Sequence, residues 1–233
     1  MNVRVRFAKY GGVKFIGHLD VLRYFQKAVR RAGLKIAYSQ GFHPHQIMSF
    51  AAPLGVGLES NGEYMDIEVN SIVSCRDVVE RLNKASVPGI EVISAVILPE
   101  NAGNAMASVA AAAYTLEWKE GYEIPSDLEN AVLRFYAQDS VMVTKQTKKS
   151  TLELDLKPGI YEMKATEDSV YILVDASSSG NIKPALLLEA FYNFLGKEFE
   201  PLAIQITREE TYTNVGKNGK RELVPLDAVG EDF

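Results

Sequence analysis

Residues 3–33 read VRVRFAKYGGVKFIGHLDVLRYFQKAVRRAG, and this stretch contains two different hydrophobic periods. Apolar and basic residues alternate over Val3–Phe7, as they do in a strand with one buried face. From Leu19 to Ala32 the apolar residues recur every three to four positions, which is the helical period, and Gly33 stands where a helix commonly ends. The stretch therefore predicts a strand followed by an amphipathic helix.

The rest of the N-terminal half predicts further strands and a second helix. Asn61-Gly62 is the strongest turn signal there, because this dipeptide suits a tight hairpin loop, and we expect the turn at 60–62. The predicted elements are a short strand at 34–38, a long loop at 39–53, paired strands at 55–58 and 63–69, a helix at 74–85 with Ser74 as N-cap, and a strand at 90–98. Their order, β-α-β-β-α-β, is ferredoxin-like.

A similar pattern restarts after the small, polar segment PENAGNAMAS at residues 99–108. The predicted elements are a strand at 111–118, a helix at 125–137, four strands at 141–146, 151–156, 160–164 and 170–176, a helix at 184–195 and a strand at 202–207. We therefore predict an α+β fold of tandem, duplicated ferredoxin-like β-α-β-β-α-β domains. It would have an N-terminal domain at 1–98, a linker at 99–108, a C-terminal domain at 109–210 and a tail at 211–233.

Positive charge is concentrated near the N-terminus. Residues 1–50 contain nine Lys or Arg residues and one acidic residue, so their net charge is +8, whereas the remaining residues carry −13. Such asymmetry favours an anionic partner. The single cysteine, Cys75, forms neither an internal disulfide nor an iron–sulfur site, and no apolar run is long enough to span a membrane. We expect a cytoplasmic protein without a cofactor of its own.

Four cations of the first predicted helix share one face, because Arg23, Lys27, Arg30 and Arg31 are spaced by the helical period. We call these four residues the basic stripe. Lys and Arg in such a row commonly bind nucleic-acid phosphates, although the same stripe could instead pair with acidic residues elsewhere in the chain. Lys145, Lys148 and Lys149 form a second basic group at a predicted strand-to-strand turn, where the alternative is a solvated hairpin tip.

The segment Gly41-Phe42-His43-Pro44-His45 is a second candidate site. Pro44 disfavours helix at His43, so His43 and His45 point the same way in an extended chain. Either imidazole is a candidate general acid or base, and together with His18 they are candidate zinc ligands. Packing on nearby aromatic rings is the structural alternative. Phe42 is a candidate for stacking on an unpaired base, and Cys75 is either a further ligand or a small buried residue.

Three quoted segments resemble one bacterial family. Residues 30–69, RRAGLKIAYSQGFHPHQIMSFAAPLGVGLESNGEYMDIEV, are similar to the central block of the radical-SAM-linked domain of unknown function. KFIGHLDVLRYFQKAVRRAG at 14–33 and LELDLKPGI at 152–160 match its opening and a later element. Members occur alone or fused behind radical-SAM, cobalamin-binding-type proteins. The resemblance implies that radical chemistry belongs to a partner, in agreement with the lone cysteine.

The predicted architecture is also similar to tRNA pseudouridine synthases and CRISPR RNA-processing endonucleases, although the catalytic Gly-Arg-Thr-Asp motif of the synthases is missing. We therefore expect a non-catalytic module that binds RNA, either tRNA or ribosomal RNA, and presents it to a radical-SAM protein. Two alternatives stay open. One is an RNA-acting enzyme that uses His43 or His45, and the other is a protein–protein adaptor with a basic docking face.

Overall fold

The computed structural model describes residues 1–146 and 151–233, and these residues form two compact units. The first unit combines Met1–Ala110 with Arg208–Phe233, and the second consists of Ala111–Thr207. Each unit contains helices packed on antiparallel strands, so the protein has a mixed α+β fold. Along the residues that are described, no helix has both the length and the apolar composition needed to cross a membrane.

Eleven strands and five helices are defined in the described ranges. The strands are β1 (Asn2–Lys9), β2 (Met48–Phe50), β3 (Glu59–Glu68), β4 (Ile90–Ile97), β5 (Ala111–Trp118), β6 (Met142–Gln146), β7 (Thr151–Asp155), β8 (Ile160–Ala165), β9 (Ser169–Asp175), β10 (Ile204–Asn214) and β11 (Leu223–Pro225). The helices are α1 (His18–Arg31), α2 (Cys75–Lys84), α3 (Ala105–Ser108), α4 (Leu128–Tyr136) and α5 (Pro184–Phe194).

The sheet of the first unit is centred on β1, which pairs antiparallel with β3 on one side and β4 on the other. Strand β3 also pairs with the short β2 and with β10. Alternation along β1 buries Val3, Val5 and Phe7 against the helices, where Phe7 meets Phe25 of α1 at a ring-centroid distance of 4.6 Å. The predicted strand and helix in residues 3–33 are therefore confirmed.

The opposite face of the same strands holds buried charge. Arg4 is fully buried, and its guanidinium makes two hydrogen bonds to the Asp66 carboxylate, at 2.8 and 3.0 Å. It also donates to the backbone oxygens of Gly103 and Leu226, and Asp66 accepts from the Ala105 backbone N–H at 2.6 Å. The segment 99–108, expected to be a linker, is thus attached to the first unit through α3 and this ion pair.

The expected hairpin at 60–62 is wrong. Residues 59–68 form one continuous strand that passes through Asn61-Gly62, with β1 as a neighbour. The reason lies in packing, because a Cβ atom on Gly62 would lie 2.6 Å from the Cα of Glu210 in β10. Gly62 therefore allows two backbones to approach closely rather than forming a turn.

The region between α1 and β3 also differs from expectation. Residues 34–38 form isolated bridges, Ile36 with Val69 and Tyr38 with Gln46, instead of a strand. The expected loop at 39–53 contains strand β2, whose Phe50 pairs with Met65. The helix predicted at 74–85 is confirmed as α2, and the Ser74 side chain accepts a hydrogen bond from the Asp77 backbone N–H at 3.0 Å.

The second unit contains two separate groups of strands. Strand β9 pairs antiparallel with both β5 and β8, whereas β6 and β7 pair with each other as a two-stranded sheet. Helices α4 and α5 meet through Phe135 and Phe191, whose ring centroids are 5.3 Å apart. The C-terminal residues Arg208–Phe233 belong to the first unit, although the sequence assigns them to the end of a second domain and a tail.

Candidate nucleic-acid interface

All four residues of the basic stripe are exposed on α1, and Arg23, Lys27 and Arg30 make no ion pair with a carboxylate outside this helix among the described residues. Arg23 contacts Asp20 at 3.1 Å, one turn away, and Arg30 donates to the backbone oxygen of Gln26. Lys27 makes no hydrogen bond or ion pair with any residue in the described ranges. Asp20 is the only carboxylate within ion-pair distance of these three cations among the described residues.

Arg31, the fourth stripe residue, is used differently. One of its guanidinium nitrogens donates to the backbone oxygen of Ala85 at 2.9 Å, and the guanidinium carbon lies 5.9 Å from the Tyr24 ring centroid. Ala85 follows the last residue of α2, so Arg31 satisfies a carbonyl that the helix itself leaves without a partner. This residue therefore has a structural role as well as a charge.

An arginine of α2 likewise donates to a backbone oxygen at the end of α1. Arg81 donates through Nε to the backbone oxygen of Ala32 at 2.8 Å, and its Nη1 contacts Asp77 at 3.2 Å. Arg31, Arg81 and the exposed Lys84 line a surface cavity of about 460 Å³ at the ends of the two helices. Sequence reasoning missed Arg81 and Lys84, because their spacing on α2 gives no sign that α1 ends beside them.

Residues 39–45 form a loop, called the Phe42 loop below, and backbone hydrogen bonds join its two ends. The Ser39 N–H donates to the His45 carbonyl at 2.8 Å, and the Ile47 N–H donates to the Ala37 carbonyl at 3.0 Å. These bonds hold the two sides of the loop antiparallel, while the Phe42 side chain at its tip is wholly exposed. An aromatic ring is thus exposed to solvent on a loop whose two ends are hydrogen-bonded to each other.

The three histidines have different surroundings. His18 begins α1 and lies edge-on to Phe50, with ring centroids 5.3 Å apart, whereas His43 is exposed in the loop. His45 is exposed too, and its Nδ1 lies 2.8 Å from the Ser39 hydroxyl. Across 1–146 and 151–233, no three His, Cys, Asp or Glu side chains converge as metal ligands would. The three histidines do not form the proposed zinc-binding set.

Cys75 and the second basic group complete the set of residues that the sequence singles out. Cys75 is buried at the start of α2, and this burial raises the pKa of its thiol, which fits a small core residue rather than a ligand. Lys145 lies in β6, near the end of that strand. Lys148 and Lys149, the other two members of the second basic group, lie outside the described residues.

A buried ionic cluster lies where the sequence suggested nothing. Lys9 is buried, and its ammonium donates to the carbonyls of Lys14 and Ile16 at 3.3 and 3.1 Å. Burial lowers the pKa of Lys9, and nearby Glu63 partly opposes this effect. Glu63 in turn contacts Arg208 at 2.6 Å. The adjoining cavity, which His18 also lines, is only about 10 Å³, enough for one water molecule. A cavity of this size has no room for a substrate beside Lys9 and Glu63.

Gln46 is an unusual residue at the base of the Phe42 loop. It is buried, and neither its Oε1 nor its Nε2 has a hydrogen-bond partner among the described residues. Leaving a buried polar group without a partner costs about 1–3 kcal/mol. Burial of the Gln46 side chain therefore destabilises the base of the loop. Its Nε2 is an unused donor and its Oε1 an unused acceptor among the described residues.

Comparisons with known proteins give a family match and distant likenesses to solved structures. In a solved crystal structure of a Cbf5-Nop10-Gar1 complex, one chain is similar to this protein with a TM-score of 0.44 and 8% sequence identity. The match covers 90% of this chain and 48% of that one, so this chain spans about half the length of its structural relative. No curated protein matches the sequence.

The family comparison covers most of the chain. A family model described as an uncharacterized protein conserved in bacteria, DUF2344, matches residues 2–184. The matched range contains α1, the Phe42 loop and α2. The chain therefore belongs to this bacterial family.

Proposed function

We propose that this protein binds structured RNA and presents it to a radical-SAM partner that performs the chemistry. The observation that carries the proposal is the Phe42 ring, which is wholly exposed at the tip of a hydrogen-bonded loop. A large apolar side chain in this position contributes nothing to the core of the first unit. Its exposure is explained if it packs against a ligand, and unpaired bases stack well on such rings.

The cations of the first unit supply the second part of the argument. Arg23, Lys27 and Arg30 are exposed on one helix, and Lys27 has no partner among the described residues. Phosphate neutralisation by exposed Lys and Arg provides most of the sequence-independent affinity for nucleic acid. An aromatic ring and exposed cations in one unit form the combination used by proteins that bind single-stranded or looped RNA.

The single cysteine of the chain bears on the need for a partner. One cysteine supplies too few thiolates for an iron–sulfur cluster, so radical chemistry would need a second protein.

We also propose that both units derive from a ferredoxin-like domain. In support, β2-β3-β1-β4 are neighbours in this order, all antiparallel, with α1 and α2 as the two connections.

Substitution of Phe42 tests the proposal. Phe42→Ala should weaken binding of labelled tRNA by about 1–3 kcal/mol, the energy of one base–aromatic stack. The dependence of affinity on salt should not change, because the ring carries no charge. Fluorescence anisotropy titrations at several salt concentrations measure both quantities.

Phe233→Ala is the matched control, because that ring is also exposed but lies at the C-terminus of the chain. The melting temperature of both variants should equal that of the wild type. Equal tRNA affinity for wild type and Phe42→Ala would remove the loop from the binding site. No preference for tRNA over an acidic polypeptide would instead favour the adaptor interpretation.

A further inference from the structure

The cavity between the ends of α1 and α2 has the composition of an anion site. Its lining consists of Arg31, Ala32, Arg81, Lys84 and Ala85, so every charged side chain in it is a cation. Its volume of about 460 Å³ lies in the range of about 300–1,000 Å³ that is typical of ligand pockets. We infer that this cavity binds a phosphate group, which in the proposed function is a phosphate of the RNA.

The charge balance of the cavity stays positive after its neighbours are included. Asp77 is the only carboxylate that contacts the three cations among the described residues, through Arg81. The carbonyl ends of the two helices contribute about half a negative charge each. Three cations outweigh one carboxylate and two helix ends, so an anion in the cavity meets a net attraction.

The hydrogen-bond donors in the cavity are only partly used. Arg31 uses one nitrogen for Ala85, and Arg81 uses Nε for Ala32 and Nη1 for Asp77. Each guanidinium has five N–H groups, so donors remain on both, and both are held in place by their backbone contacts. Lys84 is exposed and has no partner among the described residues. Fixed guanidinium groups with spare donors are well suited to phosphate oxygens.

Gly33 keeps the space for this arrangement. It has a φ of +66° just after α1, and a Cβ atom there would lie 3.0 Å from Nη2 of Arg81. A side chain at position 33 would crowd Nη2 of the Arg81 guanidinium. The glycine that ends α1 thus also permits the position of the second arginine in the cavity.

Titration of the full-length protein with inorganic pyrophosphate tests the inference. Lys84→Ala should weaken binding about tenfold, the loss expected for one charge-assisted hydrogen bond. Arg76→Ala is the matched control, because Arg76 is an exposed cation at the other end of the same helix. It should leave the affinity unchanged. Arg81 is avoided, since its loss would also leave the Ala32 carbonyl without its partner.

Two results would overturn the inference: no pyrophosphate binding by the wild type at low ionic strength, or equal binding by the wild type and Lys84→Ala. Competition distinguishes the source of the phosphate. Displacement of labelled tRNA by pyrophosphate, together with weaker tRNA binding by Lys84→Ala, supports an RNA phosphate. Lys84-dependent pyrophosphate binding without such displacement overturns the RNA source and assigns the cavity to a free phosphate compound. If the wild type binds pyrophosphate but no RNA, the proposed function fails while the cavity remains a phosphate site.

Discussion

At the residue scale, Gly62 shows how one position can be misinterpreted. Asn-Gly is a strong hairpin signal in isolation, yet here Asn61 donates to the Glu209 carboxylate and Gly62 lies against the backbone of β10. The Thr211 hydroxyl donates to the Gly62 carbonyl at 2.8 Å, which fixes the two strands at this point. The missing side chain, rather than backbone flexibility, is the property that the fold uses.

Gly62→Ala should therefore destabilise the protein. The new methyl group would lie 2.6 Å from the Glu210 Cα and 2.8 Å from the Glu209 carbonyl oxygen, and backbone atoms cannot move aside cheaply. We expect a loss of at least about 2 kcal/mol in the free energy of unfolding, measured by urea denaturation. Gly12→Ala is the control, since a methyl group added there would meet no atom within 4 Å. A loss below about 0.5 kcal/mol would contradict the packing argument.

At the scale of elements, α1 combines an apolar face with a cationic one. Val21, Phe25 and Val29 are buried in the core of the first unit, while Arg23, Lys27 and Arg30 face solvent. Sequence periodicity predicts this division because the helical period places the two sets on different sides of the helix. The terminal Arg31 is exposed as well, and it also donates a hydrogen bond to the backbone oxygen of Ala85 at the end of α2.

Removal of the three exposed cations should reduce RNA affinity and its salt dependence together. We consider the triple variant Arg23→Ala, Lys27→Ala, Arg30→Ala. In this variant the logarithm of the tRNA association constant should fall less steeply with the logarithm of the salt concentration, by about 0.7–0.9 in slope for each lost phosphate contact. Titrations of tRNA across a salt series measure this slope. The control removes three exposed cations elsewhere, Arg76, Lys164 and Lys197, with the same change in net charge. If both triple variants behave alike, affinity reflects overall charge and not the stripe.

At the scale of the whole molecule, distant parts of the chain complete the first unit. Arg208 reaches Glu63 at 2.6 Å, Tyr64 donates to Glu210 at 2.7 Å, and Arg6 contacts Glu210 at 2.8 Å. Arg208, Glu63, Tyr64 and Glu210 are buried, whereas Arg6 is partly exposed. Removal of one partner from a buried ion pair such as Arg208–Glu63 costs about 3–5 kcal/mol. The N-terminal residues therefore depend on a segment more than a hundred residues away.

A fragment of residues 1–110 should accordingly fail to fold. Without Arg208–Phe233, the fragment lacks β11 and most of β10, the strand that pairs with β3. It also lacks the counter-ion of buried Glu63 and that of the partly exposed Arg6. We expect poor dispersion of its amide NMR signals and rapid proteolysis, in contrast to the full chain. Addition of a peptide containing residues 208–233 should restore protection. A well-dispersed spectrum of the fragment alone would show that the N-terminal half is an independent domain.

Local signals in the sequence determined most of the elements and part of the candidate site. Helices α1 and α2, the N-cap Ser74, strands β1 and β4 and the exposed stripe follow from hydrophobic period and capping chemistry, which act over a few residues. Tertiary structure decided the rest. The continuous β3, the docking of 99–108 and the cavity lined by Arg31, Arg81 and Lys84 all depend on which distant backbones meet. Contacts between distant backbone segments depend on burial and hydrogen bonding summed over the whole unit, so no short segment of sequence determines them.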